Sequence, residues 1–220
     1  MKLEIDSVFF GYNKTGELLL SDIYLQLETK GITGIFGLNG SGKSTLLKII
    51  YGTLNSSAKN IRIDGKSINK SFLIENSIGY LPQHTIIPSH LTVKSFINLY
   101  VDKTAKSELL NDQFITKIYS NRVSALSGGE RRYLEVSILL LLNHNFLMLD
   151  EPFSEIEPIY KEELINKIKY ISSQKGIIIT DHDYRSTFSV CTDYYLLHNG
   201  SLKKVKSKEE FKNWYLPDTR

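Results

Sequence analysis

The chain has 220 residues, with 27 Lys and Arg against 24 Asp and Glu and a formal charge of +3. That length suits one domain able to bury its own core, and so small a surplus of positive charge gives no argument for a nucleic-acid partner. The single cysteine, Cys191, excludes a disulfide within the chain, suits a reducing compartment and reads as a small buried side chain.

In chain order, Met1-Lys2-Leu3-Glu4-Ile5-Asp6 brings acidic residues too early for a secretory signal. Residues 3–9, 23–27 and 61–63 alternate or are rich in β-formers, with Asp64-Gly65 as a turn, so the first third reads as short strands. Among them, 32–36 is a short buried strand leading into Gly37-Leu38-Asn39-Gly40-Ser41-Gly42-Lys43-Ser44-Thr45. Leu46, Leu47, Ile49 and Ile50 then recur at helical spacing, so the glycine-rich run opens a helix. Residues 78–81 form a strand ending at Pro82, and 93–100 and the more polar 106–119 read as helices. Over 129–142, Leu134, Ile138, Leu141 and Leu142 give one apolar helical face, which Asn143-His144-Asn145 ends. Residues 146–149 are continuously apolar, as a central parallel strand covered on both faces should be. Pro158 opens a helix with Tyr160, Leu164, Ile168 and Ile171 on one face, and 177–179 is another buried strand. Residues 194–198 and 202–205 flank Asn199-Gly200, a hairpin turn. Strand and helix alternate, so the fold class is α/β. The longest apolar run, 138–142, is far too short to span a bilayer, and the expectation is a soluble, cytosolic protein. Lys203, Lys204, Lys206 and Lys208 read as a solvated face.

Three segments carry chemistry. At the glycine-rich loop, N–H groups left free in the first helical turn point at an anion, the helix dipole adds positive charge, and glycines let the chain wrap phosphates. Lys43 would reach the β- and γ-phosphates and the Ser44 hydroxyl would ligate Mg²⁺. Asp150-Glu151-Pro152 ends the strongest apolar strand, where open α/β sheets hold their ligands. Asp150 would hold Mg²⁺, directly or through water, and Glu151 would orient or deprotonate the water attacking the γ-phosphorus. Leu126-Ser127-Gly128-Gly129-Glu130 has the spacing of a capping box, with Ser127 at the N-cap and Glu130 three residues on. Its paired glycines cost a helix roughly 1 kcal/mol each, which makes sense if a phosphate must approach the exposed N–H groups.

Residues 37–45, 126–130 and 146–151, in this order, resemble the ATP-binding subunit of an ABC transporter across nearly the whole chain. The resemblance implies a phosphate-loop NTPase core with a mostly parallel sheet, an antiparallel β subdomain and a small helical subdomain, near 84–142, within one domain spanning 1–220. By residue type alone Gln83 is a surface glutamine, His182 a structural residue at a strand end, and Tyr12, like Phe9 and Phe10, a sheet aromatic. The resemblance gives them other roles. Gln83 contacts Mg²⁺ and the attacking water and senses the membrane partner. His182 contacts the γ-phosphate and helps position Glu151, and Tyr12 stacks on adenine. It also implies a head-to-tail dimer, with itself or a paralogous ATPase. There Ser127, Gly128, Gly129 and Glu130 of one subunit close over ATP held by the other's loop, from Gly37, Leu38, Asn39, Gly40, Ser41, Gly42 and Lys43 to Ser44 and Thr45. Separate transmembrane permease subunits would dock beside Gln83, around 84–93, and hold the protein at the cytoplasmic face of the membrane. Where the family shows Ser-Ala-Leu-Asp after its proline, this chain reads Ser154-Glu155-Ile156-Glu157, a departure at the loop that crosses the dimer interface. Two other readings stand beside transport: a soluble ABC ATPase of an iron–sulfur type assembly system, and a regulatory subunit that closes on ATP without hydrolysing it.

Overall fold

The structure, a computed structural model, describes residues 1–12, 18–68, 77–206 and 210. Two sheets organise them. Strands β1 (Lys2–Phe10), β2 (Leu20–Glu28), β4 (Ala58–Ile63) and β5 (Lys66–Ser67) make an antiparallel sheet in the order β2-β1-β4-β5. The second sheet takes β3 (Gly31–Phe36), β6 (Ile78–Leu81), β7 (Phe146–Asp150), β8 (Gly176–Thr180), β9 (Asp193–His198) and β10 (Ser201–Val205) in the order β10-β9-β3-β8-β7-β6. All its neighbours run parallel except the terminal hairpin β9–β10. Two-residue turns close the β4–β5 and β9–β10 hairpins where the sequence predicts turns. Asp64 and Gly65 have φ 49° and 77°, and Asn199 and Gly200 have 47° and 75°, the left-handed pair that matches strand twist.

The period-2 geometry of a strand divides β7 and β8 between two cores. Phe146, Met148 and Ile178 face the antiparallel sheet and helix α1 (Lys43–Tyr51), whose Leu46, Leu47, Ile49 and Ile50 are fully buried there. Leu147, Leu149, Ile177 and Ile179 face the helices: α2 (Val93–Tyr100), α3 (Lys103–Leu110), α4 (Gln113–Ile118), α5 (Gly128–Leu141) and α6 (Pro158–Ile171). Thus the apolar run 146–149 is buried on both sides, because each face has its own layer to cover it.

Some expectations need correction. The predicted helix over 106–119 is two helices, since Asp112 accepts from the backbone N–H of Phe114 (2.8 Å) and Ile115 (3.3 Å) and starts α4 anew. Helix α5 is buried almost all round rather than on one face: Tyr133, Val136, Leu139 and Leu140 join Leu134 and Ile138 inside, while Leu141 and Leu142 are only partly covered. It lies between the sheet and α3 and α6, so a single stripe is too narrow. A short helix α7 (Tyr184–Val190), capped by Asp183, went unpredicted. Cys191 is buried, and burial pushes its thiol up, out of the reactive range. No helix among the described residues is long and apolar enough to cross a membrane. Lys204 pairs with Asp193 at 2.6 Å and Lys203 lies 3.8 Å from Glu210; Lys208 lies outside the described residues.

Candidate functional site

Between β3 and α1 the chain wraps through Gly37–Gly42. Gly40 and Gly42 sit at φ 79° and 104°, which only glycine adopts freely, and a Cβ at Gly37 would come within 2.6 Å of the Leu197 carbonyl. Gly42 leaves α1 without a side-chain cap or an acidic residue in its first turn. Helices α2, α3, α4, α5 and α7, by contrast, start under a Thr, Asp or Ser cap. The N-terminus of α1 is therefore left for an acceptor from outside the chain. Lys43 is buried and its Nζ donates to the carbonyls of Gly37 (2.7 Å) and Leu38 (3.1 Å). Burial holds its ammonium below the usual lysine range, against the pull of Glu151, Asp150 and Asp181.

At the end of β7 the loop meets two carboxylates. Asp150 is 1 % exposed. Its Oδ1 accepts from Ser44 Oγ at 3.0 Å and Thr180 Oγ1 at 2.6 Å, and Tyr80 OH approaches Oδ2 at 3.4 Å. Burial, together with Asp150, pushes the Tyr80 phenol up, so it remains a donor. Glu151 takes a left-handed φ of 57°. Its Oε2 accepts from Gln83 Nε2 at 3.0 Å, and His182 Nε2 lies 2.6 Å from Oε1. Residues scattered along the chain thus converge on one cleft of about 320 Å³, lined by Tyr12, Lys43, Ser44, Gln83, Glu151 and His182 among others. Larger hollows lie elsewhere, of about 460 Å³ beside Tyr24 and Lys204 and about 490 Å³ beside Leu18 and Leu38; neither gathers these carboxylates, so chemistry rather than size locates the site.

Tyr12 is 68 % exposed at the cleft rim, edge-on to Phe10 at 4.8 Å, and its hydroxyl meets Thr45 Oγ1 at 3.0 Å. Asn39 and Gly40 line the cleft, and together with Leu38 and Ser41 they also line the hollow beside Leu18.

The capping box is present: Glu130 N donates to Ser127 Oγ (3.1 Å) and Ser127 N to Glu130 Oε2 (3.0 Å). None of Ser127, Gly128, Gly129 and Glu130 lines the cleft of its own chain. The paired glycines have an internal cause beyond the one the sequence suggested. A Cβ on Gly128 would overlap the Glu155 carboxylate, and one on Gly129 would stand 2.5 Å from the Glu155 carbonyl.

Sequence reasoning missed Arg132, Glu135, Thr180 and Tyr80, which hold the carboxylates and the Gln83 segment from behind. On a helix of unknown surroundings a charged pair three residues apart reads as a solvated face. The signal was the near-continuous apolar pattern around it, which leaves α5 no exposed side to spare.

A six-stranded, mostly parallel sheet with a glycine loop at a helix start, facing an acidic strand end, defines a phosphate-loop nucleoside triphosphatase. The profile of the ABC transporter family matches residues 20–154, and this chain belongs to that family. It is 32 % identical over 218 residues to the lipopolysaccharide export system ATP-binding protein LptB of Haemophilus influenzae, covering 90 % of each chain. It is also 32 % identical over 201 residues to LptB of Escherichia coli K12, covering 85 % of this chain and 83 % of that one. In three dimensions it resembles a solved ATP-binding subunit of an ABC transporter at a TM-score of 0.83 and 21 % identity, over 98 % and 93 % of the two chains. A bacterial Atm1-family ABC exporter with ATP bound matches at 0.84 and 20 % identity, with 97 % of this chain on 40 % of that one. The protein is an ATP-binding, ATP-hydrolysing subunit of an ABC transporter that works with membrane subunits, and these findings give the iron–sulfur assembly alternative no support.

Proposed function

We propose that the cleft holds ATP with Mg²⁺ and that Glu151 is the base of hydrolysis. The phosphates lie on the uncapped start of α1 and on Lys43, which exchanges its bonds to the loop carbonyls for phosphate oxygens; Tyr12 stacks on adenine. Among the described residues no three His, Cys, Asp or Glu side chains cluster as a metal centre. That fits Mg²⁺, which binds through one or two protein oxygens and completes its shell with water and phosphate. Ser44 and Asp150, 3.0 Å apart, would hold it with Gln83 near by, and bound there it would neutralise charge on the phosphates. Glu151 takes the proton of the attacking water while Gln83 and His182 fix its carboxylate, and His182 reaches the γ-phosphate. The observation that carries this reading is the clamp on Glu151, one donor at 3.0 Å and one contact at 2.6 Å.

The absence of Ser127 to Glu130 from their own chain's cleft supports a head-to-tail dimer, in which they cover the partner's ATP. The helices α2 to α5, roughly 84–142, would act as a helical subdomain of a single domain spanning the chain. A permease would dock beside Gln83 around 84–93, and the subunit would sit at the cytoplasmic face of the membrane through that contact. Light scattering on Glu151→Gln tests the dimer: MgATP should convert monomer to dimer and ADP should not. A monomer at saturating MgATP sinks the reading.

A further inference from the structure

Helix α5, which begins under Ser127, buries an ion pair that the roles above leave unused. Arg132 and Glu135 are 6 % and 2 % exposed and lie 3.4 Å apart, one turn from each other. Burying two charges against each other stabilises a protein little compared with apolar side chains of the same volume, so the pair needs another reason. Its partners supply one. Arg132 Nε donates to the Glu151 carbonyl at 3.1 Å, Nη1 to the Pro82 carbonyl at 2.8 Å and Nη2 to the Asp150 carbonyl. Glu135 Oε1 accepts from Ile86 N at 2.8 Å, Ile87 N at 3.4 Å and the Thr85 hydroxyl. One side-chain pair therefore grips the carboxyl end of β7, which presents Glu151, and both flanks of the segment that presents Gln83.

We propose that Glu135, with Arg132, is a positioning residue that sets Gln83 against Glu151 and ties both to the helix begun by Ser127. Gln83 and Glu151 stand on separate segments, and the 3.0 Å bond between their side chains persists only while those segments keep register. Glu135 holds one segment through its amides, Arg132 holds both through their carbonyls, and both side chains are buried, where such bonds are stronger than in water. A shift of α5 at its Ser127 end then reaches the carboxylate through two side chains. This inference rests on the roles proposed above for Gln83 and Glu151.

Glu135→Ala would strand Arg132 in the interior and endanger the fold, so Glu135→Gln and Thr85→Val carry the test. Hydrogen exchange by mass spectrometry on the full-length protein, with ATP binding and turnover per nucleotide site, reads it. In Glu135→Gln the amides of 83–87 should exchange roughly tenfold faster, as loss of one charge-assisted hydrogen bond implies. Turnover should fall about tenfold with the ATP Kd changed less than about twofold. Thr85→Val should move both in the same direction by about threefold to tenfold, the loss of one hydrogen bond from a neutral donor to a charged acceptor, and the amides of 2–10 should be unaffected in either variant. Wild-type exchange at 83–87, wild-type turnover per site, or loosening that spreads equally to 2–10 overturns the proposal. If the unmutated protein fails to hydrolyse ATP, the functional reading falls, while exchange at 83–87 still decides whether Glu135 anchors that segment.

Discussion

His182 Nε2 lies 2.6 Å from Glu151 Oε1, joining the turn after β8 to the turn after β7. The pairing depends on the backbone, because Glu151 is held at φ 57° by its own N–H donating to the Thr180 carbonyl at 2.6 Å and by Arg132 on its carbonyl. A non-glycine residue there costs about 1–3 kcal/mol and persists only where its surroundings fix it. Strain of this kind aims the carboxylate into the cleft instead of along the strand.

Glu151→Gln keeps the shape and removes the proposed base. ATP binding should be unchanged and single-turnover hydrolysis should slow by roughly 10²- to 10⁴-fold. Fluorescent-nucleotide titration beside phosphate release checks both halves, and hydrolysis at the wild-type rate would show that another group takes the proton.

Lys43→Ala removes the ammonium buried at the loop, so tight nucleotide binding should be lost; an affinity equal to wild type would count against the phosphate cradle. Chelating divalent cations should instead stop turnover while leaving measurable ATP binding, because Ser44 and Asp150 would lose the proposed ion while α1 keeps its N–H groups. Equal turnover with and without chelator would remove Mg²⁺ from the mechanism.

Much of this was legible in sequence because it depends on local rules. Gly40 and Gly42 announce a loop with positive φ, residues 146–149 a strand covered twice, and Asn199-Gly200 a tight hairpin. What stayed hidden depends on neighbours distant in sequence. Asp112 is one acid in a polar stretch until its side chain turns to Phe114 N, and Arg132 and Glu135 look like an exposed helical pair until the end of β7 and the 82–87 segment bond to them. The glycines at 128 and 129 pointed to a ligand, whereas the structure adds Glu155 of the same chain, some 26 residues further on; no helix-local rule could supply it.

Asp112 gives a pH-dependent contribution. Burial pushes its carboxyl up, but hydrogen bonds from Lys167 and Tyr133 (2.7 Å) outweigh this and hold it below its ordinary 3.8. A depressed carboxyl stabilises the fold fully above its unfolded value and loses that contribution as pH falls through the folded one. Asp112→Asn should therefore lower the melting temperature at neutral pH, by about 2 kcal/mol of stability, and flatten the acid limb below about pH 4. Parallel acid limbs in thermal scans would mean that the pair with Lys167 contributes nothing.

Glu155 falls where the resemblance to the family places alanine, and its carboxylate lies against Gly128 at the start of α5. In the proposed dimer that helix start receives the partner's γ-phosphate, so the closed state brings two negative groups to one place. Within a few ångströms near a protein surface such repulsion amounts to about 1–4 kcal/mol at low salt and fades as ions screen it. Glu155→Ala in the Glu151→Gln background should thus tighten ATP-driven dimerisation by about fivefold or more. Added salt should strengthen the dimer that retains Glu155 more than the one that lacks it. Gly129→Ala should act oppositely, since its Cβ would drive the Glu155 carbonyl, 2.5 Å away, out of place. Sedimentation equilibrium at two ionic strengths decides: if Glu155→Ala weakens the dimer, the carboxylate supports closure and the like-charge argument is wrong.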